Sequence, residues 1–315
     1  MAAPTSLRRG GAAARATPGQ GHKHRGRKHT ANGLLWIAPA LILVVGLIYF
    51  SIGYTAYVAT LDWNGFILSQ PTSVGFDNFR AMFTDAVFWR SLQHTLIFFV
   101  VTFTVQTWLG FTFAAIMHSK IRLRGLYKVV VFVPTVLAPA AMAPIFRQIF
   151  EVRGQLNQLL TAIGLESWTN AWLADGRTAM GVVMLATIWQ WTGLTFILFY
   201  AAMSQIDPEV LEAARVDGAS NTRTLRSIVW PMCKGTTVAL ATLGLIGALK
   251  TFDWPFLITR GGPNRSTEFL GTYIYHTMMQ EKRFGYAAAI SVALLVLALT
   301  CGVIMSLRTQ RSGRK

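Results

Sequence analysis

The stretch YAAAISVALLVLALTCGVIMSL, residues 286–307, contains no charged side chain, and its few polar residues are small. A bilayer core about 30 Å thick needs about 20 predominantly apolar residues to be crossed by a helix, so this stretch is long enough. A helix that is hydrophobic all round has no face for water, which favours a lipid or bundle environment. The stretch therefore predicts a membrane span.

Five other stretches have the same character, which gives six predicted spans in total. They are Gly33–Val58, Leu92–His118, Leu126–Ile149, Met180–Met203, Thr236–Ile258 and Tyr286–Leu307. The third contains Pro134, Pro139 and Pro144, which predict kinks or broken segments. With 53% hydrophobic and 13% charged residues, the chain has too little polar surface for an ordinary soluble domain. We therefore predict an all-α polytopic membrane protein with six transmembrane helices.

The basic residues are divided unequally between the two sides of these spans. Nineteen of the Lys and Arg residues lie in residues 1–32, in the second-to-third and fourth-to-fifth connections, and after the sixth span. The other connections hold nine. A net charge of +16 can also indicate nucleic-acid binding, but this distribution favours the positive-inside rule. The prediction is that both termini are cytoplasmic, membrane lipid surrounds the spans, and no nucleic acid is bound.

The charge pattern also predicts the domain organisation. Residues 1–32 are expected to form a basic, disordered cytoplasmic tail, and residues 33–315 a single transmembrane domain. Two amphipathic helices are predicted outside the spans, at Phe76–Trp89 and Gln155–Leu165.

The connection between the fourth and fifth spans is longer than a simple link requires. Residues 204–235 read SQIDPEVLEAARVDGASNTRTLRSIVWPMCKG. Asp207 predicts a helix N-cap, and Pro208 suits the first helical position. Gly218 predicts the end of this helix, and Ser220 the cap of a second short helix. The pattern indicates a rigid, cytoplasmic helix-turn-helix segment, here called the elbow.

The elbow is predicted to present a partly apolar face. Val210, Leu211, Ala214 and Val216 form that face, and the second helix is expected to end before Pro231. Two interpretations fit: a docking element for another protein, or a helix lying flat on the membrane surface.

Six residues of the elbow fit the spacing E-A-A-x(3)-G-x(9)-I-x-x-P. They are Glu212, Ala213, Ala214, Gly218, Ile228 and Pro231. This pattern resembles the EAA signature of permease subunits of bacterial binding-protein-dependent ABC importers. Trp230 departs from the Leu that is usual in the family, and we expect it to change packing at the membrane surface and not docking.

Three further segments resemble the carbohydrate branch of that family. They are Phe252-Asp253 followed by Thr259-Arg260-Gly261-Gly262-Pro263, GFDNFRAMF at 75–83, and RFGYAAAISV at 283–292. Length and the GGP loop are similar to the larger, MalF-like type of subunit. The resemblance implies a sugar importer in the bacterial plasma membrane. Its other parts would be a second, MalG-like permease subunit, an ATP-binding subunit dimer and an extracytoplasmic solute-binding protein.

In such an importer the elbow would couple to the ATPase subunit. The resemblance assigns this role to Glu212, Ala213, Ala214 and Gly218, with Arg215 and Asp217 as secondary candidates. The chain lacks the G-x-x-x-x-G-K-[ST] pattern that cradles phosphates, and its nearest approach, Gly244 to Thr251, has the wrong glycine spacing. We therefore expect a non-catalytic subunit with no cofactor and no metal site, whose ATP is hydrolysed by another chain.

A substrate pathway would need polar groups and aromatic faces at membrane depth. Thr187, Gln190, Trp191 and Thr251 are the candidates. The alternative is that the tryptophans only pack against neighbouring helices or the interface. Lys250 and Asp253 have the i,i+3 spacing of a helical ion pair. An ion-coupled secondary transporter or channel is the competing function, and it would need titratable groups deep in the membrane.

Overall fold

The computed structural model describes residues 29–66, 68–119 and 122–312, and its contacts divide the chain after Ser51 into two units. The first helix, α1 (His29–Leu43), begins four residues before the predicted start at Gly33. A π-helical turn, Val44–Tyr49, and α2 (Phe50–Val58) follow it directly. The remainder of the predicted tail, residues 1–28, lies outside the described residues.

The second unit begins at Ile52 and is built from helices of very different length. They are α3 (Asp77–Thr84), α4 (Ala86–His118), α5 (Arg124–Val136), α6 (Pro139–Phe150), α7 (Gln155–Ala162), α8 (Gly176–Met203), α9 (Pro208–Val216), α10 (Asn221–Thr224), α11 (Trp230–Met232), α12 (Lys234–Leu249), α13 (Asp253–Ile258), α14 (Leu270–Met279) and α15 (Phe284–Ser312). A 3₁₀ turn (Glu166–Trp168) and a π-helical segment (Leu225–Val229) complete the helical elements. Strands β1 (Leu61–Asp62) and β2 (Thr72–Ser73) form a small antiparallel hairpin with Leu61 opposite Ser73. The all-α fold class is confirmed.

Four continuous helices are long and apolar enough to cross a membrane. They are Trp36–Val58, Ala86–His118, Gly176–Met203 and Phe284–Leu307. Two bent pairs reach the same length and hydropathy. They are Arg124–Val136 with Pro139–Ala162, bent by 97°, and Asn221–Met232 with Lys234–Leu249, bent by 65°. Within the described residues there are thus up to six crossings, as predicted, if each bent pair counts as one crossing.

The break in the third predicted span follows from its prolines. Leu137 and Ala138 are extended, with ψ of 132° each, and Pro139 is the first residue of α6. A proline disfavours the helical conformation in the residue before it, so Ala138 leaves the helix. The predicted broken segment is confirmed.

The fifth predicted span, Thr236–Ile258, is wrong as a continuous helix. Helix α12 ends at Leu249, and α13 starts at Asp253 after an unwound stretch, residues 250–252. Pro255 explains this break, because its ring would clash with the carbonyl of Thr251 in an unbroken helix. Pro255 is a sequence signal for this break, but the apolar residues around it favour a continuous span when composition alone is considered.

The predicted helix Phe76–Trp89 is also interrupted, at Asp85. This residue ends α3 with an extended backbone and caps α4, since its Oδ1 accepts a hydrogen bond of 2.8 Å from the Val87 amide. Its Oδ2 accepts hydrogen bonds from the hydroxyls of Tyr273 and Tyr286, the latter at 2.6 Å. One carboxylate therefore joins the beginnings of α4 and α15 to α14. The other predicted amphipathic helix, Gln155–Leu165, is confirmed as α7.

Helix α8 is the central helix of the second unit, and two glycines let its neighbours approach closely. A Cβ added at Gly193 would lie 2.6 Å from both the Thr135 hydroxyl and the Val131 carbonyl of α5. A Cβ added at Gly110 of α4 would lie 2.6 Å from Thr195 of α8. These contacts leave no room for even a methyl group, so the backbones of α4, α5 and α8 are packed together.

Substituting Gly193 by Ala should destabilise the protein, because the new methyl group must displace backbone atoms of α5. We expect a loss of about 1–3 kcal/mol in the free energy of unfolding. Gly181 lies on the same helix, and a methyl group added there would meet nothing within 4 Å, so Gly181→Ala is a matched control. Thermal unfolding in detergent measures both, and equal melting temperatures for the two variants would contradict the close-packing claim.

The Asp85 cluster predicts a pH-dependent stability. Burial raises the pKa of Asp85, but hydrogen bonds from Tyr273, Tyr286 and the α4 backbone outweigh it and lower the pKa overall. Burial and the hydrogen bond to Asp85 raise the pKa of Tyr273 to about 12. The stabilisation by Asp85 is complete above the unfolded-state pKa of about 3.9 and is lost as pH falls through the lower folded value.

Asp85→Asn should therefore lower the melting temperature at neutral pH, with a loss of about 1–3 kcal/mol from weakened hydrogen bonds. It should also flatten the decline in stability as the pH falls below about 4. Asp77→Asn, at an exposed position of α3, is the control substitution and should leave that decline unchanged. Melting curves across this pH range decide, and a decline of wild-type steepness in Asp85→Asn would rule out the cluster as its source.

Candidate functional sites: a cavity and an exposed elbow

A cavity of about 370 Å³ lies between α4, α8, α12 and the start of α13. Most of its wall is aromatic or aliphatic. The four residues predicted for a substrate pathway, Thr187, Gln190, Trp191 and Thr251, all line it. Further polar or charged side chains in the lining are Thr102, Gln106, Thr195, Lys250 and Asp253. The structure thus brings together residues that lie more than 60 positions apart in sequence.

The two predicted threonines keep acceptor capacity toward the cavity. The Thr187 hydroxyl donates to the Val183 carbonyl at 2.9 Å, and that of Thr251 donates to Gly247 at 3.0 Å. Each hydroxyl proton therefore binds a carbonyl of the preceding helical turn, while the oxygen lone pairs remain available to a hydroxylated ligand. Trp191 is 43% exposed and offers an aromatic face.

Gln190 has a different environment, because its side chain is only 3% exposed. Its Nε2 donates to the Leu137 carbonyl at 2.9 Å, and its Oε1 accepts from the Trp254 indole at 2.7 Å. Its backbone carbonyl also accepts from the Thr135 hydroxyl at 2.8 Å. Sequence reasoning missed Thr135 and Trp254 as partners, although Pro139 and Pro255 mark the two breaks beside them.

The predicted ion pair between Lys250 and Asp253 is wrong. The two residues do not share a helix, because α12 ends before Lys250 and α13 begins at Asp253. In the part of the chain that the structure describes, neither forms an ion pair within 4.0 Å. Both side chains are exposed at the wall of the cavity.

The first helix of the elbow, α9, has the predicted caps. The Asp207 carboxylate accepts from the Glu209 amide at 3.0 Å, and Pro208 is the first helical residue. At the other end, the Gly218 amide donates to Arg215 at 3.0 Å and the Ala219 amide donates to Ala214 at 2.9 Å. These two bonds define a Schellman motif, and Gly218 adopts the left-handed φ of +76° that the motif requires.

The second helix of the elbow differs from its prediction at its end. Ser220 caps it, with its hydroxyl accepting from the Arg223 amide at 3.3 Å, as predicted. The helix does not end before Pro231, however, but continues through α11 to Met232. The preceding residues, Leu225–Val229, are π-helical. This wider turn lets the helix continue past Pro231, which has no backbone N–H to donate.

The elbow residues sort into one inward position and an exposed set. Ala214 is 6% exposed and, with Leu211, turns toward the bundle. The exposed members of the predicted coupling set are Glu212, Ala213, Arg215, Asp217 and Gly218. Val216 is 87% exposed and Val210 is 38% exposed, so their predicted places on the inward apolar face are wrong. Helix α9 therefore packs against the bundle through Leu211 and Ala214 and leaves the rest of its surface exposed.

Apolar contacts hold the elbow rigidly on the ends of the bundle helices. Ile206 and Val229 share a buried cluster with Phe199 and Met203 of α8. The Trp230 ring lies edge-on to Phe111 of α4 with centroids 4.9 Å apart, and it stacks on Phe199 at 6.1 Å. The unusual tryptophan thus joins the second elbow helix to two membrane helices.

This combination of broken spans, cavity and EAA elbow agrees with comparison to known proteins. Residues 106–312 match the family described as the binding-protein-dependent transport system inner membrane component. The chain belongs to this family. It is 30% identical over 284 residues to the probable ABC transporter permease protein YurN of Bacillus subtilis (strain 168), covering 89% of this chain and 96% of YurN.

A second relative and a solved structure extend the comparison. The lactose transport system permease protein LacF of Rhizobium radiobacter is 31% identical over 275 residues, which cover 86% of this chain and 91% of LacF. The fold is similar to a chain from a bacterial ABC transporter involved in the import of the acidic polysaccharide alginate. The TM-score is 0.74 with 21% identity, over 89% of this chain and 96% of that chain.

Family membership establishes a multi-pass membrane permease subunit that does not itself hydrolyse ATP, as predicted. The segment nearest to a phosphate-binding pattern, residues 244–251, runs along α12 and past its end. A phosphate-binding loop presents its backbone amides at the start of a helix, and the end of a helix offers carbonyls instead.

The polar part of the lining predicts that water enters the cavity. In a protein whose Cys233 and Cys301 are replaced by Ala, Thr251→Cys should react with a charged, membrane-impermeant thiol reagent, because only a hydrated thiol ionises readily. Leu185→Cys is the control, since Leu185 is an exposed α8 residue outside the cavity lining. Labelling rates in proteoliposomes are compared, and equally slow labelling of both cysteines would show that the cavity is dry.

Proposed function

We propose that this permease subunit passes a sugar through the cavity and is driven by an ATPase subunit that docks on the elbow. The sugar would be delivered by an extracytoplasmic binding protein, and a second permease subunit would complete the pathway in the bacterial plasma membrane. The observation that carries this proposal is that the exposed elbow joins two helices, α8 and α12, that line the cavity.

The mechanical argument follows from that connection. The elbow is short, capped at both ends of α9 and packed on Phe199 and Met203, so a displacement of α9 is transmitted to the helices and is not absorbed by a loop. Exposed Glu212, Ala213 and Arg215 offer a charged and sterically open surface to a partner. Of the apolar residues of α9, Ala214 and Leu211 turn toward the bundle, and the exposed surface combines Val210 and Val216 with charged Glu212 and Arg215. A helix lying flat in lipid would instead expose a continuous apolar face.

The sugar is supported by two independent lines. LacF and the alginate importer carry saccharides in their names, and the lining combines hydroxyl and amide groups with an exposed indole. Sugar hydroxyls bind polar groups while the apolar faces of sugar rings pack on aromatic side chains, so this lining suits a saccharide.

The direction of the helices supports a common side for the elbow and the C-terminus. Contacts pair Phe98 with the first half of α8 and Phe111 with its end, so α4 and α8 run parallel. Asp85 binds Tyr286 at the start of α15, which gives α15 the same direction. The unequal distribution of Lys and Arg supports the cytoplasm as the side toward which all three run.

The test is transport by the complete importer in proteoliposomes containing both permeases, the ATPase and the binding protein. We expect uptake of labelled saccharide that requires ATP and stops when the ATPase is inactivated. Uptake driven by an ion gradient without ATP would instead support the ion-coupled alternative. Among the described residues, the closest buried acid–histidine pair, Glu268 with His276, lies outside the four continuous spans, so the structure does not favour that alternative.

Elbow variants make the coupling claim specific. Glu212→Lys should keep the melting temperature but lower retention of the ATPase subunit and ATP-dependent uptake, because it reverses an exposed charge on α9. Glu166→Lys, at an exposed position in the 3₁₀ turn, is the matched charge reversal and should have no effect.

Gly218→Ala supplies a second and purely conformational change. The backbone cost of a left-handed alanine is about 1–2 kcal/mol, which should loosen the end of α9 and reduce uptake per ATP hydrolysed. Gly235→Ala is its control, since both positions have space for a methyl group but only Gly218 has a positive φ. Full coupling in both Glu212→Lys and Gly218→Ala would refute the elbow as the ATPase contact.

A further inference from the structure

The two breaks in the membrane helices meet at one side chain. The α5–α6 break leaves the Leu137 carbonyl free, and Gln190 Nε2 binds it at 2.9 Å. The α12–α13 break places the Trp254 indole in the first turn of α13, and it binds Gln190 Oε1 at 2.7 Å. A single amide on the continuous helix α8 therefore connects two discontinuous crossings.

The chemistry of these breaks requires such a partner. A helix end leaves carbonyls without intrahelical donors, and lipid tails offer no donor at membrane depth. An amide side chain has a donor and an acceptor a fixed distance apart, so it can bind a carbonyl and an indole N–H together. Trp254 is 4% exposed, so its N–H would be buried without a partner if Gln190 were apolar.

The structure also leaves one helix outside this connection. Helix α13 is fixed to α8 through Trp254, and the break between α5 and α6 is fixed to α8 through Leu137. Helix α12 continues into α13 only through the unwound residues 250–252. The elbow enters α12 at its other end, so a displacement of the elbow can tilt α12 while α6 and α13 stay in place.

We propose that Gln190 is a positioning residue of the transport cycle, which fixes both helix breaks against α8 so that α12 moves alone past the cavity. This inference rests on the proposed function. It assigns Gln190 a role different from sugar contact, because both ends of its amide already bind protein groups. Loss of either hydrogen bond would let α13 or α6 follow α12, and ATP hydrolysis would then move the helices without opening the pathway.

The experiment compares Gln190→Leu, Trp254→Phe and the double variant in the complete importer. Trp254→Phe removes one hydrogen bond and should lower the amount of sugar transported per ATP hydrolysed by about fivefold. Gln190→Leu removes both hydrogen bonds and should lower it by at least as much. The concentration of loaded binding protein that half-saturates ATP hydrolysis should not change. The double variant should be no worse than Gln190→Leu alone, because that substitution already removes the hydrogen bond to Trp254.

Trp108→Phe, the same substitution at a 66% exposed position of α4, is the control and should keep the wild-type ratio. If Gln190→Leu fails to assemble, Trp254→Phe still removes one hydrogen bond while keeping an aromatic ring. If Trp254→Phe transports as much sugar per ATP hydrolysed as the wild type and at most has a lower melting temperature, Gln190 has only a structural role. That result would overturn the proposal.

A change in sugar selectivity or half-saturation in Gln190→Leu would overturn the proposal in favour of direct sugar contact. Additive losses in the double variant would show that the two residues act separately, which also contradicts it. If wild-type importer shows no ATP-dependent uptake at all, the proposed function fails instead.

Discussion

Inside a bilayer, every backbone carbonyl and amide that leaves a helix must find a partner within the protein. This chain breaks two of its crossings at the wall of one cavity, and a buried glutamine on the helix between them satisfies groups from both. Both breaks lie beside the cavity, and Gln190 holds them together by hydrogen bonds at membrane depth. Without this amide, the buried indole of Trp254 and the carbonyl of Leu137 would both lose their hydrogen bonds to α8.

The elbow and the cavity belong to one mechanical unit because of how the chain is connected. Helices α8 and α12 line the cavity at one level and carry the elbow at another, and aromatic contacts of Trp230 join the elbow to α4 as well. The lining of the cavity holds hydroxyls, amides and an exposed indole. The surface of α9 carries exposed charges. The two regions therefore differ in surface chemistry, and the helices between them are apolar.

The sequence predicted those features that depend on neighbouring residues. Span positions follow from runs of apolar residues, and the caps Asp207, Gly218 and Ser220 follow from local backbone chemistry. The features that it missed join distant parts of the chain. Asp85 binds tyrosines 188 and 201 positions away, and Gln190 binds Trp254 at a separation of 64, so no local pattern records them. Pro255 shows a third case, in which a local signal was present and was outweighed by composition.

The two glycine contacts that pack α4 and α5 on α8 have a consequence for how such a molecule can be opened. Surfaces that touch through backbone atoms cannot slide or rotate without a collision, so these three helices turn as one solid piece. Along α12 the situation is reversed: a methyl at Gly244 would meet the rings of Phe99 at 3.4 Å and Phe103 at 3.8 Å, which are ordinary van der Waals distances, and one at Gly247 would meet nothing within 4 Å. The helices around the cavity can therefore separate more easily along α12, where the glycines have space around them, than between α4, α5 and α8, where they are in close contact.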